Sequence, residues 1–270
     1  MNSVKARILG LFPEELKAAI QPIHNWIQRI IKKGQFDASS GLGIQSLGGF
    51  QVAYRKGTAD ERVLGHSFDH DIFFSGVPEY EPADDHVIID VIAHIGTFSL
   101  LASSRVSLGR VFAIEASEDS FNLLRINVAL NTATNVSVYH LALSDRRGKC
   151  TLYHDTGTWG HTVVKPLSAK GETVECCTLS NFLESNGIDR CHFMRLNCEG
   201  AEFPILLSTP SSVLQRCQII LVLYHCDLWR SNTEADLLSY FQSSGFNTAL
   251  RNRSGKRGWI IATRAMSTES

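Results

Sequence analysis

The stretch Val87-Ile-Ile-Asp90-Val-Ile92-Ala-His94-Ile-Gly96, continued by Gly109-Arg-Val-Phe-Ala-Ile-Glu115, decides the fold. Each half reads as a short buried strand with a carboxylate at its end, and a helix-length segment separates the two. That is a βαβ unit, whose parallel strands open a ligand crevice at their carboxyl ends. An acid ending the second strand stands where it can accept hydrogen bonds from a ribose diol, so a nucleoside-containing cofactor is expected. Working outward, strands are expected at Val87–Val91, Val111–Glu115, Val136–Leu141, Phe193–Asn197, Ile219–Tyr224, Phe246–Arg251 and Gly258–Thr263. Helical segments between them call for an α/β fold, a seven-stranded and mostly parallel sheet covered on both faces. Asn252-Arg-Ser-Gly255 reads as a turn, which makes the C-terminal pair an antiparallel hairpin.

The glycines discriminate among cofactors. A pyrophosphate needs the close backbone approach that G-x-G-x-x-G supplies, and this chain has Ile92, His94 and Thr97 at those positions. NAD and FAD are disfavoured. S-adenosylmethionine has no phosphate and carries two cationic groups, so a loop with fewer glycines and an acid at its start suits it better. In that reading Asp90 holds the methionine ammonium directly or through water, or else organises the loop, and Ala93, His94 and Gly96 surround the cofactor. Glu115, followed by Ala116 and the N-cap candidate Ser117, accepts the ribose hydroxyls; the alternative is a helix-capping acidic cluster with Glu118 and Asp119. Ala142, Leu143 and Ser144 border the adenine.

Acceptor chemistry is expected at the same edge of the sheet. Asn197-Cys-Glu199-Gly200 ends the fourth strand, where Asn197 donates and accepts without charge and Glu199 orients a hydroxyl, acts as base, or caps the next helix. His225, at the end of the fifth strand, has the ordinary titration range of a general base, although a strand-end histidine also serves to satisfy loop hydrogen bonds. Trp159-Gly-His161-Thr162 lies in a long insertion read as a lid or substrate wall, with His161 a weaker base candidate. His66, Asp69 and His70 have the spacing of a helical metal pair, but with no further ligand at matching spacing they read as a surface helix and no metal is expected. Phosphate-binding P-loop and nucleophile-elbow motifs are absent.

Several segments together resemble the FkbM family of S-adenosylmethionine-dependent methyltransferases. They are Tyr54-Arg-Lys-Gly-Thr-Ala-Asp60, the Asp90–Gly96 loop, Val111–Glu115, Asn127-Val-Ala-Leu-Asn131, Leu141-Ala-Leu-Ser-Asp145 and Met194-Arg-Leu-Asn-Cys-Glu-Gly-Ala-Glu202, in family order. The resemblance implies a Rossmann-like methyltransferase fold and methylation of a small-molecule hydroxyl, natural-product or sugar-like. The family pattern Asp-x-Gly-Ala-x-x-Gly departs here at its first glycine, which is Ile92, and Asn197 replaces a common aspartate. Ile92 therefore supports an alternative, a non-catalytic binding protein on the same fold with impaired cofactor affinity.

Composition narrows the partners. Lys plus Arg number 26 against 27 for Asp plus Glu, a formal net charge of −1, so nothing suggests a grip on a nucleic-acid backbone. Nor does the fourth strand end in the Asn/Asp-Pro-Pro-aromatic motif of enzymes that methylate nucleic-acid amino groups. Seven cysteines without C-x-x-C spacing argue for reduced thiols and a cytoplasmic setting. No segment is long and apolar enough to span a membrane. Residues 1–80 are expected as a helix and hairpin extension, with an amphipathic helix at Pro13–Lys33, a hairpin at Gly41–Tyr54 and a capping box at Thr58–Glu61. Residues 81–264 form the cofactor-binding domain and 265–270 a disordered tail.

Overall fold

The structure, a computed structural model, describes residues 41–154, 160–164, 171–229 and 231–264. The expected Pro13–Lys33 helix, Trp159 and the 265–270 tail lie outside them. At the centre is β3 (Val87–Val91), flanked by β4 (Arg110–Glu115) and β9 (Cys191–Leu196). The sheet continues through β5 (Val136–His140) on one side and β10 (Cys217–His225), β12 (Arg257–Arg264) and β11 (Phe246–Ser254) on the other. Only β12 runs against its neighbours. All seven expected strands are present within a few residues of their expected bounds.

Side chains alternate across this sheet, so its two faces build two cores. Ile88 and Phe193 point into one, Ile89 and Met194 into the other. Asp90 and Arg195 follow two residues after Ile88 and Phe193, and they therefore lie on the first face, opposite one another in register. That face is covered by α3 (Thr97–Arg105) and α4 (Glu118–Leu130). The second is covered by α5 (Leu179–Ser185), α6 (Glu202–Leu207) and α7 (Glu234–Ser243).

The N-terminal hairpin pairs β1 (Leu42–Leu47) with β2 (Phe50–Arg55). Its two-residue turn, Gly48-Gly49, has positive φ at both positions, the geometry that matches strand twist and that glycine adopts without cost. Asn127 and Asn131, one turn apart on α4, staple the hairpin to the domain. Asn127 accepts from Ala53 N (2.7 Å) and donates to the carbonyls of Ala53 and Ile95, while Asn131 bonds both backbone groups of Gln51.

Two expectations need correction. The Thr58–Glu61 capping box is shifted: Thr58 Oγ1 accepts from Asp60 N, and Glu61 accepts from Gly57 N. The helix α1 (Asp60–Leu64) then widens into a π-helical turn, Gly65–Asp69, before α2 (Ile72–Ser75). In the insertion, β7 (Gly148–Tyr153) and β8 (Gly171–Cys177) pair with the two-residue β6 (Ala142–Leu143) as a second, three-stranded sheet. Its inner face, Leu152, Val174 and Cys176, packs on Ala116 and Ala142.

Candidate active site

Two cavities open at the carboxyl edge of the main sheet. The larger, about 520 Å³, is walled by Ile92, Ala93 and His94, by Asn197 and Glu199 beyond β9, and by Arg195, Arg257 and Trp259 from the strands. Phe73, Phe98 and Leu228 add apolar surface. The smaller lies among Ala116, Ala142, Leu143, Leu152 and His161; at about 10 Å³ it has room for about one water. Ile92 borders both.

The loop after β3 turns by repeated use of the left-handed region: φ is +64° at Ile92, +56° at His94 and +87° at Gly96. For glycine that is ordinary. For a β-branched residue it is an outlier, costing roughly 1–2 kcal/mol. Hydrogen bonds hold the turn in place: Ala93 N donates to Ile114 O (2.8 Å) and His94 N to Glu115 Oε2 (2.7 Å), while Ser117 N donates to Glu115 Oε1 (2.8 Å). Glu115 thus spends one site of each oxygen on backbone amides. Burial pushes its pKa up, opposed by the His94 charge and these amides.

Beneath the loop is a buried charge network. Arg55 grips Asp60 with Nε and Nη2 (2.8 and 2.9 Å) and also reaches His94 Nε2 and Ser120 Oγ. His94 Nε2 is 3.3 Å from Asp60 Oδ1. Burial disfavours the Asp60 carboxylate, yet Arg55 and His94 outweigh it and hold the acid well below its ordinary range.

Beyond β9 a second network surrounds Glu199. His225 lies between two carboxylates, with Nε2 3.4 Å from Glu199 Oε1 and Nδ1 3.1 Å from Glu202 Oε1. Glu202 is fully buried and also accepts from the backbone amides of His225 and Gly200. Arg257 forks onto Asp227 and lies 3.4 Å from Glu199 Oε2. Thr162 Oγ1 donates to the Glu199 carbonyl (2.7 Å), which helps hold that residue at φ +44°. Burial lowers the His225 pKa, but hydrogen bonds to Glu199 and Glu202 overcome it and raise the value to about 9.

The expected residues divide accordingly. Ala93, His94, Asn197 and Glu199 line the large cavity, and Ala116, Ala142 and Leu143 the small one. Gly96 is a packing glycine at the head of α3, where a Cβ would meet Leu124 Cδ1 at 2.5 Å. Asp90 is fully buried off both walls, its oxygens taken by Arg195 Nη1 (2.7 Å) and Ser99 Oγ (2.6 Å). His225, expected as a base, is likewise off the walls, between two carboxylates that raise its pKa to about 9. His161, expected as a base near the acceptor, borders the small cavity, and burial beside His154 lowers its pKa to about 3. The π-helical turn brings His66 onto the large cavity, whereas a surface helix was expected. Arg195, Arg257, Trp259 and Phe73 were not expected at all. A hint for Arg195 was its alternation with Asn197, which places both on one side of the strand.

The strand order, with its single reversed strand β12, and a cavity at the carboxyl edge define a Rossmann-like methyltransferase fold. The profile of the methyltransferase FkbM domain matches residues 90–248. The chain belongs to the FkbM methyltransferase family. Among solved structures it is similar to an FkbM methyltransferase from Methylobacillus flagellatus, at 17% identity and a TM-score of 0.49, over 70% of this chain and 46% of that one. It thus spans just under half of that protein's length. A precorrin-6y C5,15-methyltransferase from Geobacter metallireducens is 16% identical (TM-score 0.44; 71% and 86% covered). The N-terminal domain of human METTL16 in complex with SAH is 14% identical (TM-score 0.40; 76% and 66% covered). No curated protein matches in sequence.

S-adenosylmethionine, tested against these residues, finds polar partners but no room. Glu115 has lone pairs to spare, and Ser117 Oγ beside it is buried with no partner among the described residues. The space between Ala116 and Leu143 nevertheless holds about one water, and Ile92 stands between it and the large cavity. The adenine-side space is thus too small for a base as the side chains stand, and binding requires Ile92 and its neighbours to give way.

Proposed function

We propose that this chain is an S-adenosylmethionine-dependent methyltransferase acting on a hydroxyl of a small molecule, natural-product or sugar-like, and that Ile92 keeps its cofactor affinity low. The observation that carries the acceptor half is the meeting of Asn197 and Glu199 on a 520 Å³ cavity beside the His94 loop. That volume is in the small-molecule range. The Asn197 amide donates to and accepts from a hydroxyl. Glu199, flanked by His225 and Arg257, accepts from the hydroxyl and orients it. Holding an acceptor aligned supplies much of the rate of a displacement, so these two groups are sufficient machinery for the proposal. Nucleic acid is not the proposed partner. Seven unpaired cysteines and the lack of any described helix long and apolar enough to cross a membrane support a cytoplasmic placement.

A second reading, a ligand-binding protein without transferase activity, is favoured by Ile92 and by the closed adenine-side cavity. Methyl transfer from labelled cofactor to a panel of hydroxyl compounds distinguishes the two. The transferase reading expects transfer by the parent chain at high cofactor concentration and its loss in Glu199→Gln. Absence of transfer by both the parent and Ile92→Gly would leave only the binding reading.

A further inference from the structure

We infer that the large cavity takes a carboxylate-bearing ligand with a flat, aromatic body, its acid group bound by Arg195. The inference rests on reading this cavity as the acceptor site. Arg195 is 7% exposed, yet among the described residues only one of its five N–H donors is used, toward Asp90 at 2.7 Å. Its Nε is buried without a partner. Asp90 does not form a two-pronged pairing with it: one oxygen takes Nη1 and the other accepts from Ser99. Buried guanidinium groups ordinarily meet an anion through two parallel bonds, and the anion able to do so here is one delivered through the cavity.

Charge and shape point the same way. Among the described residues the wall presents two guanidinium groups, Arg195 and Arg257, and one carboxylate, Glu199; Asp90 lies off it. Arg257 is already forked onto Asp227, which leaves Arg195 as the group with donors to spend. The Arg195 guanidinium carbon sits 4.2 Å over the Phe73 ring, and Phe73 stacks on Trp259 at 6.0 Å and 15°. This is a flat aromatic wall beside a planar cation. Planarity and apolar surroundings favour a carboxylate over a phosphate, which would also bring a second charge toward Glu199. Arg195 and Asn197 are two residues apart on one strand face, about 6–7 Å, a separation that a para-substituted ring spans. An acid on Arg195 then directs a para hydroxyl to Asn197 and Glu199.

Titration calorimetry of the full chain with 4-hydroxybenzoate and with its uncharged amide tests this. The acid is expected to bind about tenfold tighter or more, a difference of about 1.4 kcal/mol. Arg195→Lys, which keeps a cation opposite Asp90, is expected to lose most of that preference. Equal affinity for acid and amide, or no heat with the acid at millimolar concentration, overturns the inference. Should the variant not fold, the acid–amide comparison on the parent chain decides by itself. Acid binding without methyl transfer supports the cavity assignment and removes the transferase reading, whereas transfer to neutral acceptors with no acid preference overturns the assignment alone.

Discussion

Replacing Ile92 by glycine should strengthen cofactor binding while weakening the fold, and the opposite signs make the experiment informative. Provided that the left-handed conformation of Ile92 is kept on binding, relieving it changes stability and leaves affinity alone. That relief, roughly 1–2 kcal/mol, is about half offset by the roughly 0.5–1 kcal/mol that glycine loses in chain entropy. What remains is lost packing: Ile92 is partly buried against the second and third apolar clusters, and half-burying its four side-chain carbons contributes on the order of 1–2 kcal/mol. The net loss is roughly 0.5–1 kcal/mol, so the thermal midpoint should fall by about one or two degrees. Affinity follows a different quantity, the overlap of Ile92 with an entering nucleoside. Overpacking costs about 1–3 kcal/mol, so its removal corresponds to roughly a five- to 150-fold gain. Calorimetric titration of parent, Ile92→Gly and Ile92→Ala with S-adenosylhomocysteine provides the measurement. Alanine keeps the torsional cost but removes most of the volume, so it should recover much of the gain. Micromolar binding by the parent, unimproved by either substitution, would show that the loop accommodates isoleucine and that the crowding argument is wrong.

Glu115→Ala, made in the Ile92→Gly background, should abolish most S-adenosylhomocysteine affinity. It should also lower the thermal midpoint, because the amides of His94 and Ser117 lose their acceptor at about 1–3 kcal/mol per unsatisfied group; unchanged affinity there would remove Glu115 from the site. The His225 pKa is raised in the fold, from 6.5 to about 9, so its contribution is fully present below pH 6.5 and is lost as pH rises through 9. Denaturant titrations should show parent stability falling across that window by on the order of 3 kcal/mol relative to His225→Asn, and parallel curves would refute the imidazolium assignment. Asp60→Asn strips Arg55 of its buried counter-charge and should cost about 3–5 kcal/mol in urea unfolding. An unshifted midpoint would mean that Ser120 and His94 suffice to hold the guanidinium.

The sequence by itself determined the main sheet and the edge of it at which the candidate residues gather. Apolar runs such as Val87–Val91 and Cys217–His225 are buried on both faces, and so they announce parallel strands without any knowledge of their neighbours. The absence of a glycine at position 92 was equally legible, since it is a property of one residue in a recognisable loop. The second sheet was not, because β7 and β8 alternate with Lys149, Thr151, Thr173 and Glu175 and bury only one thin face. The roles of the charged residues were decided by tertiary structure alone. Asp90 read as a cofactor ligand until strand order set it in register with Arg195, 105 residues away. His225 read as a base from its ordinary pKa, and only the fold showed that β10 and the turn into α6 place it between Glu199 and Glu202. The physical reason is one of range: hydrophobic periodicity is written locally along the chain, whereas the charge state and pairing of a buried ionisable group depend on which distant partners the fold brings within hydrogen-bonding distance.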